Sequence, residues 1–180
     1  KNKDRFKITK NGLSKRWIPG SADAYYFANG DEHGEDGRLT EDAELAGAMY
    51  AKRVRKMELI EKKLPKPEIM GQKTKADISF VGWGSSRNIM RDIIALKKSE
   101  GITVNYFHYS YLWPLRIKEL ERFLANNKNV HLIEGNYTGQ LGNLIESKTN
   151  FTFNHRLLKW DGRPFYVEDV SDYINTHLRK

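Results

Sequence analysis

The chain contains no cysteine in its 180 residues. Disulfides, cysteine-ligated zinc and cysteine-ligated iron–sulfur clusters are therefore excluded from it, so any cluster it works with must sit on another polypeptide. Long apolar runs are missing too. No stretch approaches the roughly 18 residues that a membrane helix requires, and no signal-peptide core is present. Together these absences predict a cytoplasmic protein with no membrane partner. Internal repeats and low-complexity segments are also lacking. The sequence opens Lys1-Asn2-Lys3 with no methionine, and a piece of a longer polypeptide is expected. What remains suits one domain of ordinary size plus an extension. A core of about 100 to 120 residues would need no covalent staples.

The net charge is +8, but it is unevenly placed. Residues 1–20 carry seven basic and one acidic side chain (+6), residues 21–50 one basic and eight acidic (−7), and residues 51–75 nine basic and three acidic (+6). The other 105 residues carry only +3. A nucleic-acid binder concentrates Lys and Arg on one face among recognition elements. Blocks of alternating sign in an extension read instead as docking to protein or as a solvated surface. No nucleic-acid partner is expected.

Residues 1–40 are rich in Gly, Asp and Lys and predict an extended arm with turns. Thr40 is the expected N-cap of a long helix, with Glu41 and Asp42 in its first turn. Ala46, Met49, Tyr50, Arg53, Val54, Met57, Ile60 and Leu64 keep a helical repeat, and Pro65 and Pro67 stop it. Residues 65–75 read as a linker, which divides the chain into an arm, helix and linker (1–75) and an α/β domain (76–180). In that domain strands are expected at about 77–82, 103–107, 130–134 and 165–168, with an edge strand within 151–158. Helices are expected at 86–100, from Pro114 to about Asn127, at 139–147 and at 170–178. Ile89, Ile93, Ile94 and Leu96 would be buried on the first of these. Alternation of this kind implies an α/β fold of three layers, a largely parallel sheet covered on both faces.

Gly82-Trp83-Gly84 lies between a strand and a helix, yet position 87 is Arg87 rather than a third glycine, and Tyr106-Phe107-His108 ends without an acid. The dinucleotide fingerprint therefore fails, leaving a tight turn with Ser85 or Ser86 as helix cap, or an anion at that helix end. The five histidines, at 33, 108, 131, 155 and 177, show no helical metal spacing. Glu134 closes the strand Val130 to Glu134 and precedes Gly135-Asn136-Tyr137-Thr138-Gly139-Gln140-Leu141, with Thr138 as expected cap of the next helix. It is the best single candidate for an active carboxylate, against the plainer reading of an acid held by neighbouring N–H groups. Trp83, Tyr109, Tyr111 and Trp113 form a candidate aromatic patch, of a composition favoured at protein interfaces.

The pattern Glu134-x-Asn136-x-x-Gly139-Gln140-Leu141 resembles the second domain of the α subunit of 2-oxoacid:ferredoxin oxidoreductases. Other segments repeat the resemblance in order over about residues 10–145. They are Asn11-Gly12-Leu13-Ser14-Lys15-Arg16 with Pro19-Gly20, Asp31-Glu32-His33 with Gly34 and Gly37, Lys52-Arg53-Val54-Arg55-Lys56, Val81 to Ser85, and Trp113-Pro114. Lys15 stands where that family tends to have proline, and Arg116 where a second proline is common, so no particular oxoacid follows. The resemblance implies a domain similar to the C-terminal domain of transketolases. It also implies an enzyme that oxidises 2-oxoacids with coenzyme A, using thiamine diphosphate, Mg²⁺ and iron–sulfur clusters, and passing electrons to ferredoxin. The diphosphate and Mg²⁺ would be held by the β subunit, with the acid that contacts the aminopyrimidine on the upstream α-subunit domain; no cofactor would be bound by this chain, which would be inactive alone and serve mainly in assembly. Arg16, His33, Trp113, Glu134, Asn136 and Gln140 are the candidate interface residues. The rival reading is a stand-alone α/β module binding a nucleotide or coenzyme A at the edge around Ser85, Trp113 and Glu134.

Overall fold

The computed structural model describes residues 5–18, 20–22, 25–72 and 74–178; Pro19 lies outside them. The chain divides into two compact units, Lys1–Leu64 and Pro65–Lys180. In the first, helix α1 (Ala43–Lys63) is capped by Asp42, whose carboxylate accepts from Leu45 N at 2.7 Å. Thr40, the expected cap, instead accepts from Asp42 N at 3.2 Å, two residues before the actual cap. The arm is pinned by backbone and side-chain bonds: Phe6 N donates to Glu35 O, and Ile8 N to Glu35 Oε1 at 2.6 Å. Arg53 of α1 forms a two-pronged ion pair with Glu32. The buried face of α1 follows its apolar repeat only in part. Tyr50 and Val54 are exposed, whereas Lys52 is 6% exposed beside buried Met49.

The second unit is a five-stranded sheet ordered β1-β3-β2-β4-β5. Its strands are β1 (Glu68–Met70), β2 (Ile78–Trp83), β3 (Val104–Tyr109), β4 (Val130–Glu134) and β5 (Arg156–Leu158). All neighbours are parallel except β1, which runs antiparallel to β3. Helices α2 (Ser86–Ser99), α3 (Ile117–Asn126), α4 (Gln140–Lys148) and α5 (Val167–Leu178) complete it. Because side chains alternate across a strand, two apolar cores form. Val81, Phe107 and Leu132 pack on one face with Leu120 of α3 and Ile145 of α4. Phe80, Tyr106 and Ile133 pack on the other with Met90 and Ile93 of α2 and Ile174 of α5. The fold is thus a three-layer α/β unit with a mostly parallel sheet.

Several sequence expectations are corrected in detail. Residues 68–70, within the expected linker, are an edge strand in register with Tyr106–His108. No strand forms at 165–168. There Asp169, the third residue of α5, accepts from Tyr166 N at 2.8 Å, which is half of a capping box and starts the helix at Val167. Helix α3 begins at Ile117 rather than near Pro114, and the Trp113–Pro114 peptide is cis. On α2 the buried side chains are Ser86, Met90, Ile93 and Lys97, while Leu96 is exposed. Lys97 tolerates complete burial because its ammonium meets Glu100 at 2.7 Å and Asn175 Oδ1 at 2.9 Å.

Gly82 sits at the centre of the sheet. A Cβ there would fall 2.7 Å from Ile133 O and 2.9 Å from the Tyr106 hydroxyl. The glycine therefore serves strand packing, not a phosphate turn. Gly82→Ala is expected to destabilise the unit by about 1–3 kcal/mol, the usual cost of overpacking. An unchanged denaturation midpoint would rule out this tight packing.

Candidate functional site

The crossovers from β2 to β3 and from β4 to β5 leave in opposite directions across the sheet, so the topological switch point lies between the carboxyl ends of β2 and β4. In open α/β sheets that crevice is where ligands are met. Here it is bridged. Trp83, the last residue of β2, donates its indole N–H to Oε1 of Glu134, the last residue of β4, at 3.0 Å. The same oxygen accepts from Asn136 Nδ2 at 2.6 Å. Both carboxylate oxygens accept from Leu141 N in the first turn of α4, at 2.9 and 3.0 Å.

Asn136 completes the arrangement from the other side of the turn. Its Oδ1 accepts from Gly139 N at 2.8 Å and Gln140 N at 3.2 Å. Gly139 takes the N-cap position of α4 with φ 65°, a left-handed conformation that glycine adopts readily. The expected cap, Thr138, does not serve: Asn136 and Glu134, earlier in the turn, satisfy open N–H groups that the helix start presents. Glu134 is 1% exposed, and its bonds tie two strand ends to one helix. Nothing in this geometry points the carboxylate at an open substrate position.

At the start of α2, Ser85 makes no capping bond. Ser86 instead donates to Trp83 O at 2.7 Å, and its hydroxyl meets the Tyr106 hydroxyl at 2.7 Å. Tyr106 in turn lies 2.9 Å from Nδ1 of buried His108. Burial raises the Tyr106 hydroxyl above its ordinary range and lowers the His108 imidazole. This chain locks the turn from within the core. Beside the crevice, Ser85, Asn136, Tyr137, Lys159, Trp160 and Arg163 help line a cavity of about 580 Å³. Lys159 is committed to Asp169 at 2.6 Å.

The exposed aromatics of this edge follow the strand ends. Trp83, Tyr111, Trp113, Tyr137, Trp160 and Tyr166 are all exposed. Trp113 is 58% exposed, with Lys148 Nζ 5.7 Å from its ring centre, and Tyr137 meets Trp160 edge-on at 4.9 Å. Tyr109, counted with this patch in the sequence, is buried and donates to Arg116 O. Of the six candidate residues, Glu134, Asn136 and Gln140 converge on the turn before α4. Arg16 and His33 lie in the first unit, where they line a second cavity. Tyr137 and Trp160 escaped the sequence reading, although each follows a strand end where exposure was to be expected.

His131 of β4 is fully buried. Asn129 donates from Nδ2 to Asp77 O, which leaves its Oδ1 to accept from His131 Nε2–H at 2.7 Å. The opposite ring nitrogen, Nδ1, then accepts from the Tyr173 hydroxyl at 2.8 Å. His155 stacks on the ring at 4.8 Å, and His177 meets it edge-on at 5.1 Å. Burial, with His155 and His177 beside it, lowers the His131 pKa to about 4. It is a satisfied core histidine. Among the described residues no group of three or more His, Asp or Glu side chains is placed to hold a metal ion. No described helix is long and apolar enough to cross a membrane.

Residues 76–170 match the family described as pyruvate:ferredoxin oxidoreductase core domain II. The chain is 32% identical over 180 residues to the 2-oxoacid:ferredoxin oxidoreductase subunit alpha of Saccharolobus solfataricus, covering 98% of this chain and 28% of the relative. It is 30% identical over 173 residues to 2-oxoacid:ferredoxin oxidoreductase 1, subunit alpha, of Sulfurisphaera tokodaii, covering 94% and 27%. A solved 2-oxoglutarate:ferredoxin oxidoreductase from Magnetococcus marinus, with 2-oxoglutarate, coenzyme A and succinyl-CoA bound, superposes with a TM-score of 0.75 at 26% identity. That match covers 97% of this chain and 30% of the solved one. The chain thus spans little more than a quarter of the length of these curated relatives. The matched segment 76–170 is more than half of the chain, and on that ground the chain belongs to the pyruvate:ferredoxin oxidoreductase core domain II family.

Proposed function

We propose that the chain is part of the α subunit of a cytosolic, thiamine diphosphate-dependent 2-oxoacid:ferredoxin oxidoreductase, and that this part serves assembly rather than chemistry. The observation that carries the reading is the Trp83–Glu134–Leu141 connection. It commits the one candidate carboxylate of the carboxyl edge to structural bonds across the switch-point crevice. Around it the exposed aromatics offer the large, rigid surface that protein interfaces favour.

The cofactors expected of such an enzyme do not fit the residues here. Without cysteine the chain has no thiolate for a cluster, and its described carboxylates and imidazoles make no metal-binding group. Thiamine diphosphate and Mg²⁺ would be held by the β subunit, beside an acid from the upstream α-subunit domain, and the cluster by another polypeptide of the complex. The β subunit and the upstream α-subunit domain are the proposed partners, with ferredoxin engaged through the complex. The oxidative, coenzyme A-dependent decarboxylation of a 2-oxoacid belongs to that complex, and the chain alone is expected to be inactive.

Trp113→Glu tests the assembly role, because the side chain is exposed and the change leaves both cores intact. The variant should fold with an unchanged melting temperature. Its recovery with the other subunits should fall about tenfold or more, the effect of losing an aromatic hot spot. Turnover per assembled complex should stay within a few-fold. Full recovery of the complex would sink the proposed role of this edge.

A further inference from the structure

The inward face of α1 carries charge where a helix ordinarily carries apolar side chains. Met49, Lys52, Arg53 and Lys56 stand at i, i+3, i+4 and i+7 and so share one face. They form one wall of a cavity of about 530 Å³, closed by Arg5, Phe6, Gly12, Leu13, Ser14, Arg16 and His33. The volume is within the range of small-molecule sites. Gly12 lets the arm press against this wall: a Cβ there would lie 2.6 Å from Lys52 O. Among the described residues, five cationic side chains and a histidine line the space, and no acidic one does.

The positive charge is only partly answered by protein groups. Arg53 is paired with Glu32, and Lys52 donates to Phe6 O with Glu35 nearby. Arg5 stacks over Tyr26 and Trp17 with ring-centre distances of 4.3 and 4.7 Å, and its buried Nε has no hydrogen-bond partner among the described residues. Burial, then the nearby cations Lys56, Arg53 and Arg16, push the Lys52 ammonium below its ordinary pKa. Buried cations are retained where an anion completes them. From the cavity and its cation lining we infer that the first unit binds a small phosphate-bearing ligand between the α1 face and the arm. Arg16 stands at the rim and Lys52 at the floor. The concave, cation-dense shape favours a compact polyanion over an extended acidic segment of protein, and the inference does not depend on the assembly role proposed above.

The test is calorimetric titration of the full chain with inorganic pyrophosphate at fixed ionic strength, alongside Arg16→Ala and Lys56→Ala. Neither residue belongs to an apolar core, and circular dichroism would verify that both variants stay folded. Saturable one-site binding, weakened about tenfold or more by each variant, is expected, the size of losing one charge-assisted contact. The melting temperature should rise with pyrophosphate in the parent chain and rise less in the variants. No saturable binding would overturn the inference. Binding undiminished by both variants would also overturn it, placing the anion elsewhere, as in the carboxyl-edge cavity. Binding of oligoglutamate that pyrophosphate fails to displace would overturn it in favour of an acidic protein partner.

Discussion

Replacing Glu134 by alanine is expected to cost the α/β unit about 4 kcal/mol, because three donors lose their acceptor at once. The Leu141 N–H would be left buried beside a void, at a cost of about 1–3 kcal/mol, while the exposed Trp83 indole and the half-buried Asn136 amide each lose a hydrogen bond worth about 0.5–1.5 kcal/mol. Glu134→Gln keeps the shape and one acceptor oxygen but gives up the charge. A smaller loss of about 1.5–3 kcal/mol follows, the worth of a hydrogen bond to a charged group. Chemical denaturation of the chain measures both. In the proposed assembled enzyme, Glu134→Gln should keep turnover within a few-fold. A hundredfold fall in turnover with stability unchanged is the size expected for a lost acid–base group, and it would move Glu134 into the active centre.

Acid should weaken this unit through His131. The ring is held neutral with a pKa of about 4, against about 6.5 in an unfolded chain. Between those values the unfolded state binds a proton that the folded state refuses, so stability rises with pH across the window and is lost as pH falls through it. The loss from pH 7 to pH 4 is about 3 kcal/mol for this residue, at about 1.4 kcal/mol per pKa unit. Denaturation midpoints measured from pH 7 to pH 4 should fall accordingly. In His131→Phe the starting stability is lower, since Asn129 and Tyr173 lose their partner, but the decline with acid should flatten. An equally steep decline in the variant would show that another group governs it.

Strands β2, β3 and β4 were readable because each is a short apolar run bounded by turn residues, and each is buried on both faces. Edge strand β1 was not. Glu68-Ile69-Met70 is three residues between Pro67 and Gly71, and only its antiparallel register with β3 makes it a strand. The start of α5 was missed for a different reason: Phe165-Tyr166-Val167 has strand-like composition, and the Asp169 carboxylate decides the matter from four residues beyond Phe165. Buried Lys97 and Lys52 were illegible in principle, since their partners Asn175 and Phe6 lie 78 and 46 residues away. At the candidate site the Glu134, Asn136, Gln140 motif pointed to the correct turn. Its link to Trp83, 51 residues upstream, required the switch-point topology.

The brevity of the two outermost strands limits how this unit can associate. Each is three residues long, and β1 follows Pro65 and Pro67, which have no backbone N–H to offer a passing chain. A sheet with long open margins invites a foreign strand to join it, in cross-chain pairing or in aggregation. Here little ladder is available for that at either margin. Neighbours in the proposed multisubunit enzyme are therefore expected to meet the unit through its side chains, at loops and helices. A single chain awaiting its partners is correspondingly guarded against zipping onto its own copies.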